Sequence, residues 1–213
     1  MTYSKRFSSK FFAKLLQPEG RNPQRDRASS LSIVFELLDQ KEDKNFLIVE
    51  TGCMRADHGQ LALGDDGAST FIFDDFINYY DGEVLSVDIN PSNVEHATRM
   101  TSDKTKVTCS DSVKYLWSLP EEKKIDFLYL DSFDFEPDNP IPSQEHHLKE
   151  LCAVMKNLQK GTIVCVDDHL NTPNFDQYRA SLARGGKAAF IEHFMDDIGA
   201  ELLHDGYQIL WRL

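Results

Sequence analysis

Asp131 in "YLDSFDF" and the pair Asp167–Asp168 in "CVDDHL" each close a run of apolar residues. Three such carboxylates gathered in one cleft would repel and raise one another's pKa values unless a cation neutralised them. Hard oxygen donors favour Mg²⁺, Ca²⁺ or Mn²⁺ over zinc, which makes these residues a candidate metal site. The competing reading is that each acid caps a neighbouring helix and faces solvent. His169 directly follows the acidic pair and could serve as a base or a substrate contact. Asp134 shares the loop of Asp131. His146 and His147, at a helix start, and His58, in a loop, are weaker candidates for touching a substrate.

A second set of residues suggests a nucleotide-like ligand. "IVETG" runs from apolar residues into Glu50, Thr51 and Gly52. In a G-x-G-x-x-G fingerprint the next glycine would stand at position 54, which is Met54. A glycine followed by small hydroxyl residues, "GAST" with Ser69, arrives at Gly67, after fourteen intervening residues. This insertion, with Arg55, Asp57 and His58, is a candidate lid. Asp88 closes "VLSVDI". An acid at the end of a second strand accepts hydrogen bonds from the two ribose hydroxyls of an adenosine cofactor, its two oxygens matching a vicinal diol. Asp111 in "CSDSV" either accepts from an adenine amino group or caps the helix beginning near Ser112, and one residue could do both.

These residues need elements to position them. Ser4–Leu16 and Ala28–Gln40 carry apolar residues at helical spacing, separated by "RNPQRD". From Phe46 onward, short apolar runs alternate with amphipathic stretches. The strands are "FLIVE", "EVLSVDI", "KVTC", "IDFLYLD" and "GTIVCVDDH". Helical patterns follow them: "STFIFDDFINYY", "SNVEHATRM", "SVKYLWSL", "SQEHHLKELCAVMKNL", then "FDQYRASLA" and "KAAFIEHFMDDI". "AELLHDGYQILWRL" reads as two strands around Asp205–Gly206. Five strand–helix units predict an α/β fold: a doubly wound, mostly parallel sheet with an antiparallel strand pair at its end. The expected division is an N-terminal helical extension over 1–45 and a Rossmann-like domain over 46–213. Ligands of such sheets bind at the carboxyl ends of the strands, where nearly every candidate acid stands.

Bulk properties exclude several classes. The 213 residues suit one domain, and 35 acids against 23 bases give a formal charge of -12, which disfavours a nucleic-acid partner. No apolar run approaches a membrane span. The basic start, "MTYSKRFSSKFFAKLLQ", lacks the apolar core and cleavage site of a signal peptide and is expected to pack on the domain. Cys53, Cys109, Cys152 and Cys165 form no C-x-x-C pair, and suit a reduced, cytoplasmic protein. Phe7, Phe11 and Phe12 need cover, which a homodimer through the N-terminal helices could supply.

Taken in order, "VETGCM…GAST", "VLSVDI", "CSDSV", "DFLYLDSFDF" and "GTIVCVDDH" resemble the class I S-adenosylmethionine-dependent methyltransferases. The acids resemble those of the metal-dependent O-methyltransferases of the catechol and the macrolide and aminocoumarin sugar types. The resemblance covers Phe46 to the C-terminus. It implies that Glu50, Thr51, Gly52 and Ser69 line the methionine part of the cofactor. Asp88 with Ile89 would take the ribose, and Asp111 with Ser112 the adenine. Asp131, Asp167 and Asp168 would be the ligands of Mg²⁺ or another divalent cation, Asp131 also touching the cofactor. The catechol type's catalytic lysine has no counterpart three residues after Asp131, where Asp134 stands, so Asp131 or His169 would act as base, or the metal alone would serve. The implied reaction is methylation of a small-molecule hydroxyl on a sugar, vicinal diol or catechol, with Phe133, Phe135 and Phe175 as apolar walls. Two alternatives are a metal-independent methyltransferase with His169 as base, and a sugar-nucleotide-binding α/β enzyme.

Overall fold

A computed structural model describes residues 1–16, 25–55, 68–171 and 181–213. Its centre is a seven-stranded sheet of β1 (Asn45–Thr51), β2 (Asp81–Asp88), β3 (Thr105–Cys109), β4 (Phe127–Leu130), β5 (Ile163–Val166), β6 (Glu201–Asp205) and β7 (Ile209–Arg212). The spatial order is β3-β2-β1-β4-β5-β7-β6. The first five strands are parallel, and β7 runs antiparallel to both β5 and β6. The predicted architecture is therefore present, including the terminal strand pair. β2 and β3 lie on one side of β1, β4 and β5 on the other, which makes the gap between β1 and β4 the switch point of the sheet.

Strand alternation builds two cores. Phe46 and Ile48 of β1, Phe127 and Tyr129 of β4 and Ile163 and Cys165 of β5 point to one face. Leu47 and Val49, Leu128 and Leu130, and Val164 and Val166 point to the other. Side chains two apart share a face, so continuous apolar runs give a sheet buried on both sides. On the first face pack α1 (Tyr3–Phe7), α2 (Ala13–Leu16), α3 (Ala28–Gln40) and α4 (Ser69–Tyr79). On the second pack α6 (Ser112–Ser118), α7 (Ile141–Val154) and α8 (Ala189–Asp197), while α5 (Pro91–Met100) packs on β2 and β3.

The first helix differs from a plain α-helix. A π-helical turn, Ser8–Phe12, joins α1 to α2. The buried residues explain it: Tyr3, Phe7, Phe11 and Leu15 recur every four positions. At 3.6 residues per turn a strict four-residue repeat drifts about 40° per step, and a wider turn in the middle brings the stripe back to one face. That stripe meets the domain itself. Tyr3 packs on Phe35 and Phe76 at 4.8 and 4.9 Å between ring centres. Phe7 and Phe11 thus find their cover within the same chain.

The expected helix over "FDQYRASLA" falls largely outside the described residues, as do Asp57, His58, Gly67 and Phe175. The helix expected from Lys187 begins two residues later: Gly186–Ala188 forms a 3-10 turn, and α8 starts at Ala189. Among the described residues no helix is long and apolar enough to cross a membrane. All four cysteines are free; Cys53 and Cys165 are buried, Cys109 and Cys152 exposed.

Candidate active site

The strand register sets the row of site residues. Thr51 pairs with Val87 and with Leu130, and Leu130 with Val166. The ladder then runs one step past the strands: Gly52 N–H donates to Val87 O at 2.8 Å, Asp131 N–H to Thr51 O at 3.0 Å and Asp167 N–H to Leu130 O at 3.1 Å. Gly52, Asp88, Asp131 and Asp167 are thereby held along one rim. Gly52 has φ +79°, and a Cβ there would stand 2.3 Å from the carbonyl oxygen of Asp131, so the turn requires glycine.

Along this rim opens a cleft of about 360 Å³. Four carboxylates line it, from Asp88, Asp111, Asp131 and Asp134. The walls also include Gly52, Ser69, Ile89, Ser112, Phe133 and His146, residues of the predicted site. Asp88 Oδ1 accepts from Asn90 N at 2.7 Å, and Oδ2 from Cys53 N and Asn93 Nδ2, both at 3.2 Å. Oδ1 thus accepts one of these bonds and Oδ2 two, and the residue lines the cleft. Asp111 caps α6 by accepting from Lys114 N at 2.9 Å, the capping role considered for it, and also lines the cleft. Arg55 reaches across the rim to Asp134 at 3.1 Å, tying the start of the insertion to the loop after β4.

Two predicted residues lie behind the wall. Glu50 is fully buried and accepts from three hydroxyls: Ser69 at 2.6 Å, Thr70 at 2.8 Å and Ser86 at 2.5 Å. It anchors the start of α4 and so positions Ser69. Thr51, also buried, donates to Glu150 at 3.1 Å. Glu150, which the sequence reading missed, is a second fully buried acid. It accepts from Ser132 at 2.7 Å and lies 3.3 Å from His146 Nε2. Burial alone would raise its pKa, but the contacts with His146 and the hydroxyls hold it below the usual range. Its signal is positional: it shares the buried face of α7 with Ser143, His147, Leu151 and Val154.

The histidines divide sharply. His146 reaches the cleft, hydrogen-bonded to Ser112 at 2.9 Å and packed on Phe133. His147 is buried in α7, its Nδ1–H donating to Ser143 O at 2.7 Å. His169 is placed away from the cleft wall. Its Nδ1 faces Gly185 O at 3.1 Å and its Nε2 faces Asp205 at 2.9 Å, so both ring nitrogens already face acceptors within the fold. A proton-abstracting role for His169 has no geometric support here.

Asp131, Asp167 and Asp168 do come together, with ligand oxygens within 4.8 Å of one another. They arrive with two cations that the sequence reading did not assign. Arg27 spans Asp167 through Nε at 3.0 Å and Nη2 at 2.6 Å, and Gln208 donates to the same carboxylate at 2.6 Å. The Lys187 ammonium, only 1% exposed, stands 2.5 Å from Asp131 and 3.1 Å from Asp168. Tyr207 donates its hydroxyl proton to the other oxygen of Asp168. Burial would lower the Lys187 pKa, but Asp131, Asp168 and Asp167 outweigh it and keep the amine charged. Burial would raise Asp168, yet Lys187 and Arg27 hold it well below the carboxylate range. Asp131 is pushed up by burial first and by Asp167 next. The donor set alone suits a hard cation. The arrangement does not, because Lys187 occupies the space between Asp131 and Asp168 and Arg27 with Gln208 satisfies Asp167.

A parallel five-stranded sheet closed by an antiparallel pair, in the order β3-β2-β1-β4-β5-β7-β6, is a Rossmann-like architecture. The chain has this fold, and solved methyltransferase structures superpose on it. MycE methyltransferase from the mycinamycin biosynthetic pathway, in complex with Mg and SAH, aligns with 98% of this chain at TM-score 0.63 and 13% identity. The chain spans about half of that protein, 54% of its length. CalS11, a calicheamicin methyltransferase, aligns over 100% of this chain and 93% of its own at TM-score 0.57 and 13% identity. A putative caffeoyl-CoA O-methyltransferase from Staphylococcus aureus gives 100%, 93%, 0.56 and 12% in the same measures. No family model and no curated protein matches the sequence.

Proposed function

We propose that the chain is an S-adenosylmethionine-dependent methyltransferase that methylates a hydroxyl of a small molecule such as a sugar, vicinal diol or catechol. The observation that carries this reading is the cleft at the carboxyl ends of β1, β2 and β4, with Asp88 at one end, Asp131 at the other and the Gly52 turn between. Asp88 would accept from the ribose, Asp111 and Ser112 would flank the adenine, and the sulfonium would lie near Gly52 and Ser69. Four lining carboxylates suit a cationic donor and oppose a diphosphate, which weighs against the sugar-nucleotide reading. The O-methyltransferase structures support the hydroxyl as acceptor; one of them is CalS11, a TDP-rhamnose 3'-O-methyltransferase.

The reaction is an in-line displacement. The acceptor oxygen forms a bond to the methyl carbon as the carbon–sulfur bond breaks, and the sulfur leaves as a neutral thioether. The hydroxyl proton must pass to a base, and Asp131 is the carboxylate of the acidic trio that reaches the cleft. A carboxylate pushed up by burial is a stronger base than a solvated one. Mg²⁺ takes no part in this reaction, because the acids that would hold it are engaged by Lys187, Arg27 and Gln208. Calorimetry with S-adenosylmethionine and S-adenosylhomocysteine tests the reading, followed by methyl transfer to a panel of sugars and catechols. No binding at millimolar cofactor would sink it.

A further inference from the structure

We infer that Lys187 is a built-in replacement for a divalent cation: its ammonium fills the space between Asp131 and Asp168, and the three-acid cluster takes up no metal ion. Three placements carry this. First, Nζ stands 2.5 Å from Asp131 Oδ1 and 3.1 Å from Asp168 Oδ2, so an ion bonded to those same oxygens at about 2.0–2.6 Å would overlap it. Second, the third carboxylate is spent. Asp167 is fully buried, and Arg27 and Gln208 take both of its oxygens. Two cations against three acids leave one net negative charge, where the three acids alone would carry three, so most of the repulsion is relieved without a dication.

Third, the backbone is built to deliver the lysine. Gly185 and Gly186 have φ +77° and +50°, a conformation that costs most other residues strain. A Cβ on Gly186 would stand 1.8 Å from Asp168 O, so only glycine lets this strand of chain lie against the end of β5. Lys187 N–H then donates to Asp168 O at 3.2 Å, and the side chain turns into the acids. A surface lysine that happened to fall near three acids would need none of this.

Lys187 is thus a positioning residue that offsets one charge of the cluster and holds Asp131 at the cleft wall. The inference stands apart from the methyltransferase reading, because its test needs no cofactor and no turnover. Mn²⁺ binding is followed by the loss of the free-ion electron paramagnetic resonance signal, in wild type and in Lys187→Met, which keeps an unbranched apolar stem, ends one atom short of the ammonium position and removes the charge. Wild type should bind no Mn²⁺ below about 1 mM, and 10-fold excess Mg²⁺ should leave its melting temperature unchanged. Lys187→Met should gain one Mn²⁺ site at least ~100-fold tighter, and Lys187→Met/Asp131→Asn should lose it again. A stoichiometric Mn²⁺ site in wild type at micromolar concentration would overturn the inference. So would a folded Lys187→Met protein that gains no affinity. If Lys187→Met does not fold, the wild-type titration and melting shift decide the question by themselves.

Discussion

At the scale of single residues, the strand-end acids are legible because they follow from two local facts: a run of β-type residues and the polar residue that closes it. Asp88, Asp111 and Asp131 line one cleft as that pattern implies. Their partners were not legible. Arg27 lies 140 positions from Asp167, and Lys187 lies 56 from Asp131. No periodicity links such pairs; only the folded sheet brings them together. One local signal did exist for Lys187, the Gly-Gly immediately before it, which marks a backbone forced through the left-handed region. Two predictions belong here. Asp88→Ala should weaken S-adenosylhomocysteine binding by roughly 10- to 100-fold in calorimetry, since a hydrogen bond to a charged group contributes about 1.5–3 kcal/mol. A change under threefold would remove Asp88 from the site. Arg27→Ala strands a fully buried carboxylate and should cost about 3–5 kcal/mol in urea unfolding. Adding Asp167→Asn should recover part of that loss, and strict additivity of the two changes would show that the pair does not interact.

At the scale of elements, α7 shows how a helix with an apolar face can also carry a site. Its inward face holds His147, Glu150 and Leu151, while His146, one position away, turns to the cleft. Helical periodicity placed these residues on a helix but not on a side, because the apolar pattern of "SQEHHLKELCAV" is interrupted by polar residues that are themselves buried. His147 makes the burial measurable. Desolvation, opposed by Glu150 and aided by Lys187, lowers its pKa from 6.5 to about 4. A depressed histidine pKa means that the unfolded chain binds the proton first as pH falls. Stability from this group is therefore complete above pH 6.5 and declines from there towards pH 4. At pH 5 the loss is about 2 kcal/mol. Unfolding free energies from urea titrations at pH 7.5 and pH 5 should differ by about 2 kcal/mol less in His147→Leu than in wild type. Equal pH slopes in the two proteins would show that His147 takes up its proton as readily in the folded chain as in the unfolded one.

At the scale of the whole molecule, the N-terminal segment is a structural part of the sheet domain, although the sequence pattern marks a change of texture near Phe46. Tyr3, Phe7, Phe11 and Leu15 share one continuous core with Phe35 of α3, Phe73 and Phe76 of α4, and Phe127 and Tyr129 of β4. Arg6 and Lys10 clamp Asp75 of α4 at 2.8 and 2.6 Å, and Arg27 reaches the end of β5. Each fully buried aromatic or aliphatic side chain contributes on the order of 1.5–3 kcal/mol, so stripping four from one face would remove a sum comparable with the whole stability of a domain. The two segments should therefore unfold together. Trp211 lies buried in β7, on the far face of the sheet from α1, and in a Trp117→Phe background, which removes the exposed second tryptophan, its fluorescence reports the core; far-UV circular dichroism reports all the helices. The two urea transitions should coincide, as a single cooperative unit requires. An early loss of helical signal while Trp211 stays buried would show instead that the extension folds and melts on its own, and that the cover it provides for Phe35 and Phe76 is dispensable.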